Sequence, residues 1–195
     1  MARTRKEMIE ETRHRLVAAG RQAFAAKGYA DSSMDDLTAN VGLTRGALYH
    51  HFGDKKGLLE AVIQEIDKEM SVRLRAITRQ AESTWQGFIN ESIAYMEMAI
   101  EPEIQRIVLL DGPAVLGNPA QWSSQNACIQ STMKCLQTLQ SEGVIKDVEI
   151  EATSRLLNGA TLSAALWIAA DEQPLVALEK AIHAFVSLAN GLLKH

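Results

Sequence analysis

Cysteine is almost absent from this chain, with two in 195 residues. Cys128 and Cys135 lie seven apart, two helical turns or roughly 10 Å. That is too far for a disulfide and the wrong pattern for zinc, so both read as thiols in or near a core. Proline is scarce, with four, and β-branched runs are lacking, while Ala, Leu, Glu, Lys, Gln and Met abound. The composition argues against a sheet architecture and predicts an all-α fold. Three Trp, three Tyr and four Phe must be divided between core and any binding site. No uncharged run that is also apolar throughout reaches the roughly 18 residues of a membrane span. The opening "MARTRKEMIEETRHRL" lacks the apolar centre of a signal peptide. A soluble, cytoplasmic chain without a membrane partner is therefore expected. No nucleophile–base pair or paired-carboxylate pattern stands out, and His183 and His195 lie far along the chain from other ionisable groups. No catalytic residue, bound metal or cofactor is expected.

What is present is a charge asymmetry. The net charge of −4 argues against a nucleic-acid partner, but residues 1–60 hold ten Lys/Arg against eight Asp/Glu, and residues 61–195 hold ten against sixteen. A mildly basic front on an acidic body suits a polyanion partner.

Residues 1–6 are polar and basic and read as a loose arm. From Glu7 to Lys27 the apolar positions Ile9, Leu16, Ala19, Ala23 and Phe24 follow helical spacing, and Gly28 closes that helix. A second helix is expected over 33–41, with Ser33 as N-cap and Asp36 completing a capping box. A third follows over 44–50, capped by Thr44, and a fourth begins at Asp54. Leu59, Val62, Ile66, Met70, Leu74 and Ile77 repeat along that fourth helix. About 25 residues give it a length near 37 Å, enough to leave a small front domain, 1–53, and enter a larger one, 54–195. Further helices are expected at 82–100, 102–116, 120–141, 148–170 and 174–193, with the last two so apolar that they need cover on more than one side.

The stretch "LTRGALYHHFGDKKGLL", residues 43–59, carries the chemistry. Adjacent histidines point about 100° apart on a helix, whereas zinc pairs lie three to five residues apart. A phosphate loop needs GxxxxGK[ST] after a strand, and neither is here. Two short helices joined at Gly42-Leu43 have helix-turn-helix spacing, in which the start of the second helix meets base edges in the major groove. Those residues are Thr44, Arg45, Gly46 and Ala47. Arg45 suits guanine, whose edge offers two acceptors. Tyr49 and His50 reach for phosphates, and Lys55, at the positive end of the fourth helix, suits the same task.

Residues 12–59 closely resemble the DNA-binding domain of TetR/AcrR-type transcriptional regulators. The resemblance rests on Phe24, Gly28-Tyr29, Ser32-Ser33, Leu37, Val41-Gly42-Leu43-Thr44, Gly46, Leu48-Tyr49, His51-Phe52, Lys55 and Leu58-Leu59. It implies a homodimer whose last two helices from each copy form a four-helix bundle, and a C-terminal domain in which many members bind a small molecule and then release a palindromic operator. Carried over by position, it implies that Ser33 and Thr44 contact phosphates, that Arg45 reads a base with Gly46 and Ala47 at the groove floor, and that Tyr49, His50 and Lys55 clamp the backbone. His51 reads as structural.

In the body, Trp85, Phe88, Tyr95, Met98, Arg106, Leu110, Trp122, Met133 and Trp167 are candidates to line a pocket for a small apolar or amphiphilic effector, with plain core packing equally compatible. Ala160, Ala164 and Leu178 are candidate dimer contacts, because small residues let helices approach. The alternative is an effector-independent regulator, or an architectural DNA-binding protein, of the same fold.

Overall fold

The computed structural model describes residues 4–39 and 41–194. Among them nine α-helices follow one another: α1 Arg5–Asp31, α2 Met34–Ala39, α3 Arg45–Phe52, α4 Lys55–Gln80, α5 Thr84–Glu97, α6 Gly112–Leu116, α7 Ser123–Ser141, α8 Ile150–Ala170 and α9 Pro174–Asn190. A π-helical segment, Ile104–Asp111, runs directly into α6. The all-α expectation holds.

The expected arm does not extend to residue 6. Thr4 caps α1 through a reciprocal capping box with Glu7, so Arg5 and Lys6 are helical; residues 1–3 of that arm lie outside the described residues. Two donors that a helix start leaves unpaired are thereby satisfied. The predicted box at Ser33 also forms, with Asp36 N–H donating to Ser33 Oγ at 3.0 Å and Ser33 N–H to the Asp36 carboxylate at 3.4 Å. Hydrogen bonds from Ser33 hold the Asp36 carboxyl below its ordinary range. Asn40, in the expected span of α2, lies outside the described residues.

Gly28 breaks α1 without ending it. Its backbone (φ 82°, ψ 169°) belongs to a region essentially restricted to glycine, and one more turn follows to Asp31. The break is gripped by the body. Arg106 donates to the Lys27 carbonyl at 2.8 Å, and the Tyr29 N–H donates to the Asp111 carboxylate at 2.7 Å. Two turns earlier, Arg21 forks between Glu69 of α4 and Glu103 ahead of the π segment, with four bonds of 2.6 to 2.8 Å. These bidentate, charge-assisted pairs tie α1 to both neighbours.

One core cluster runs from Leu16 and Phe24 of α1, through Leu58, Val62 and Ile66 of α4, to Ile107, Ile168 and Phe185. It does not stop at residue 54. The first turns of α4 pack under α1 and α3, while Met70 enters the body's part of the same cluster. A small second cluster of Leu136, Leu139 and Ile145 is closed where Ile145 bridges Leu193 in antiparallel fashion.

Candidate nucleic-acid interface and body cavity

The front helices form a three-helix unit. Gly42 takes φ 61° in the turn, where its N–H bonds the Ala39 carbonyl and the Leu43 N–H bonds the Thr38 carbonyl. A residue with a side chain is disfavoured at that φ, so the glycine sets the angle between α2 and α3. Leu37 and Leu48 anchor the two helices in the core, each fully buried. That leaves the opposite face of α3 outward.

Most of the expected contact residues lie on this face. Ser33, Thr44, Arg45, Gly46, Tyr49 and His50 are exposed, and Ala47 is half-buried. Thr44 caps α3 by accepting the Ala47 N–H at 3.2 Å, which leaves its O–H free to donate. Arg45 is not free. Its guanidinium forms a bidentate pair with Asp35 of α2. Both side chains are more than half exposed, and such pairs contribute little, so a base edge can compete for the arginine.

Gly46 is the informative position. A Cβ built there meets nothing closer than Thr44 Oγ1 at 3.7 Å, and its φ is not in the left-handed region. A helical glycine costs about 1 kcal/mol against alanine. Nothing within the chain requires that cost here. Gly57 contrasts with it, since a Cβ there would fall 2.1 Å from the Phe52 carbonyl oxygen. Gly57 is required by the packing of α3 on α4, whereas Gly46 leaves room for something outside the chain.

Lys55 departs from expectation. Its ammonium turns inward and donates to the carbonyls of Tyr29 at 2.7 Å and Ser32 at 3.0 Å, with Ala30 at 3.5 Å, and it sits 4.2 Å from the centre of the Tyr29 ring. An ammonium has three protons, and three carbonyls surround it, so no proton remains for a phosphate. Its sequence signal, a lysine at a helix start, is shared by anion anchors and by C-caps of a neighbouring helix; only packing separates the two. Lys55→Ala is expected to destabilise the protein by roughly 1–3 kcal/mol through loss of charge-assisted bonds. Urea denaturation checks this, and the salt slope of DNA binding is expected to stay unchanged.

His51 is half-buried between His50 and Phe52, with ring centres 5.5 and 6.0 Å away. Burial lowers its pKa, and the neighbouring His50 adds to the shift. Among the described residues no group of three or more His, Cys, Asp or Glu could hold a metal ion, and no helix is long and apolar enough to cross a membrane.

The body holds a cavity of about 540 Å³ between α4, α5, α7 and α8. Of the nine pocket residues expected from sequence, Phe88 and Tyr95 line it. The others face elsewhere, because each residue turns a helix by 100° and a position one or two off the lining row looks into another layer. Met98 is core, and Trp85 packs against Phe88. Arg106 holds the α1 break. Leu110 and Trp167 are exposed, the latter donating to Asp171 at 3.0 Å. Trp122 lies over Gly112, and Met133 is half-buried outside the lining. Sequence reasoning missed Thr78, Glu91, Ser92, Thr132 and Asn158, as well as both cysteines, all of which line the cavity. A signal was available: these are polar or small residues in helical register on faces otherwise read as core. Burial pushes the thiol of half-buried Cys135 up to about 11, while Cys128, exposed rather than in the core, is raised through desolvation at the cavity wall; neither is held low as an activated nucleophile is.

On α8, Leu156 and Trp167 are 74% and 45% exposed, and helical register places Ala160 between them on one face. On α9, Leu175, Leu178, Ile182 and Val186 line a shallow surface groove. Ala160 is half-buried against the subunit's own core and Leu178 is buried in it, so both only adjoin this exposed apolar surface. Ala164 is half-buried against the subunit's own core, so a charge there would strain the fold itself.

Residues 16–62 match the family model described as "Bacterial regulatory proteins, tetR family", and residues 85–192 match "Tetracyclin repressor-like, C-terminal domain". The second alone covers more than half of the chain. The chain belongs to the TetR family of bacterial regulatory proteins. A solved TetR-family transcriptional regulator from Pectobacterium atrosepticum is 50% identical over 99% of both chains, with a TM-score of 0.91. Among curated TetR relatives, the HTH-type transcriptional regulator SrpR of Pseudomonas putida is 41% identical over 63 residues, 32% of this chain and 30% of its own length. The HTH-type transcriptional regulator TtgR of Pseudomonas putida is 28% identical over 109 residues, 55% of this chain and 52% of its own. The chain thus spans between about a third and a half of these curated relatives. Identity is higher over the 63-residue SrpR alignment than over the longer TtgR alignment.

Proposed function

We propose that this chain is a dimeric, sequence-specific DNA-binding regulator, most simply a non-enzymatic repressor whose hold on a palindromic operator is released by a small molecule. The observation that carries the DNA-binding part is Gly46: an exposed glycine at the start of an outward helix, with no internal reason for lacking a side chain. Beside it stand Thr44, Arg45, Tyr49 and His50, and together they make a surface suited to backbone approach, base reading and phosphate contact. Exposed apolar positions on α8 and α9 favour a second copy, and an isologous dimer reads inverted repeats.

The cavity supports the ligand-responsive part. α4 contributes Leu74 and Thr78 to its wall, and the same helix begins beside α3. Its 26 residues span about 39 Å, so a small displacement at the cavity becomes a larger one at the recognition helix. A ligand acts only if it prefers the state that does not fit DNA, and operator DNA then weakens ligand binding by the same factor.

Selection of bound duplexes from a random pool tests the reading. Inverted half-sites spaced by roughly one helical turn are expected; recovery without any motif would count against it. With such a site in hand, Arg45→Ala is expected to relax the preference at one base pair in each half-site and weaken binding roughly tenfold or more.

A further inference from the structure

The cavity between α4, α5, α7 and α8 is one-sided in charge. Two carboxylates, Glu82 and Glu91, line it, and among the described residues no lysine, arginine or histidine does. Its hydrogen-bonding polarity leans the same way. The Thr78 hydroxyl donates to Glu91 Oε2 at 2.6 Å. Ser92 donates to the Phe88 carbonyl at 2.8 Å, and Thr132 to the Cys128 carbonyl at 3.1 Å. The Asn158 amide divides its two protons between Thr132 Oγ1 and the Ser154 carbonyl, both at 2.8 Å. What these groups keep for a guest is lone pairs. The Tyr95 and Ser131 hydroxyls and the Gln125 amide line it too and can donate, but an anion meets two carboxylates and no cation among the described residues, while a guest with N–H donors and a positive charge meets acceptors and a counter-charge. Phe88, Leu74 and Leu162 supply the apolar remainder of the wall.

We propose that this cavity takes an organic cation, a protonated amine carried on an apolar or aromatic body, with Glu91 as its counter-charge. The proposal rests on reading this cavity as the effector site. It also gives the ligand a route to α4. The Thr78–Glu91 bond links α4 to α5, and an ammonium that engages Glu91 competes with the Thr78 hydroxyl for the same carboxylate oxygens. Binding therefore loosens the far end of the helix whose near end supports the recognition helix.

Three probes that share an indole body isolate the head group: tryptamine, a cation at neutral pH, tryptophol, which is neutral, and indoleacetate, an anion. Titrated calorimetrically into the full chain, tryptamine is expected to bind roughly tenfold or more tighter than tryptophol, since a charge-assisted bond replaces a neutral one, with indoleacetate weakest. Glu91→Gln is expected to bring the tryptamine-to-tryptophol ratio close to one, with an unchanged thermal transition reporting that the variant is folded. Thr78→Ala, which frees Glu91 from its partner, is expected to raise the ratio. Equal affinities, preference for the anion, or an amine preference that survives Glu91→Gln overturns the cation proposal while leaving a ligand-binding cavity in place. Binding of none of the three overturns the proposal and the effector reading of the cavity together. Operator binding measured on the same sample shows whether the DNA-binding reading stands apart from them.

Discussion

Gly46→Met is expected to make the protein more stable and to abolish operator binding. The two effects have separate causes. Methionine favours a helix over glycine by somewhat under 1 kcal/mol, and the space at residue 46 is open, with the nearest atom to a built Cβ at 3.7 Å. The isolated protein therefore gains. On DNA the same side chain occupies the gap through which the backbone of α3 nears the groove, so the helix is held off and the contacts of Thr44, Arg45 and Tyr49 lengthen together. A loss of two orders of magnitude or more corresponds to about 3 kcal/mol, no more than one or two base contacts. Urea denaturation and a mobility-shift titration read the two sides. A variant that gained stability and kept its operator affinity would show that α3 does not approach DNA by this face.

Combining Leu156→Glu with Trp167→Glu is expected to yield monomers near 21.4 kDa that fail to hold the operator. Leu156 is 74% and Trp167 45% exposed within one subunit, and neither belongs to its core. In an isologous dimer each substitution appears twice, and an unpaired charge buried at an apolar contact costs about 3–5 kcal/mol. Two half-sites are then no longer bound as one event, which removes at least a hundredfold of affinity through lost effective concentration. Sedimentation and the operator titration are read on one preparation, and a dimer that persists moves the interface off this face of α8. Ala164→Glu would be a poorer choice, because Ala164 packs against the subunit's own core and its loss would confuse misfolding with dissociation.

The helix-turn-helix unit was legible because its signals are short-range. Ser33 and Asp36 cap α2, Thr44 caps α3, and Gly42 supplies a positive φ between them. Each works through neighbours three or four residues away, so a sequence written in a line already contains it. The same holds for α4, whose apolar period identified the stripe that became the shared core. In the body, periodicity identified the helices and Pro or Gly their breaks, but residue 28 already marks the limit. There a glycine bends α1 rather than ending it, because Arg106 and Asp111 from 79 and 82 residues away hold the two sides of the break.

The sequence by itself therefore determined the helices, the helix-turn-helix unit and the family, since capping, turn geometry and apolar spacing are local properties of the chain. Only the tertiary structure decided that Lys55 staples α1 instead of waiting for a phosphate, that Arg45 rests on Asp35, and that Glu91, Thr78 and Asn158 rather than Trp122, Met133 or Trp167 face the cavity. Each of those outcomes depends on how far a helix is rotated about its axis when it packs. A rotation of one residue, 100°, exchanges a core position for a lining one, and that angle is set by contacts between elements far apart in the chain.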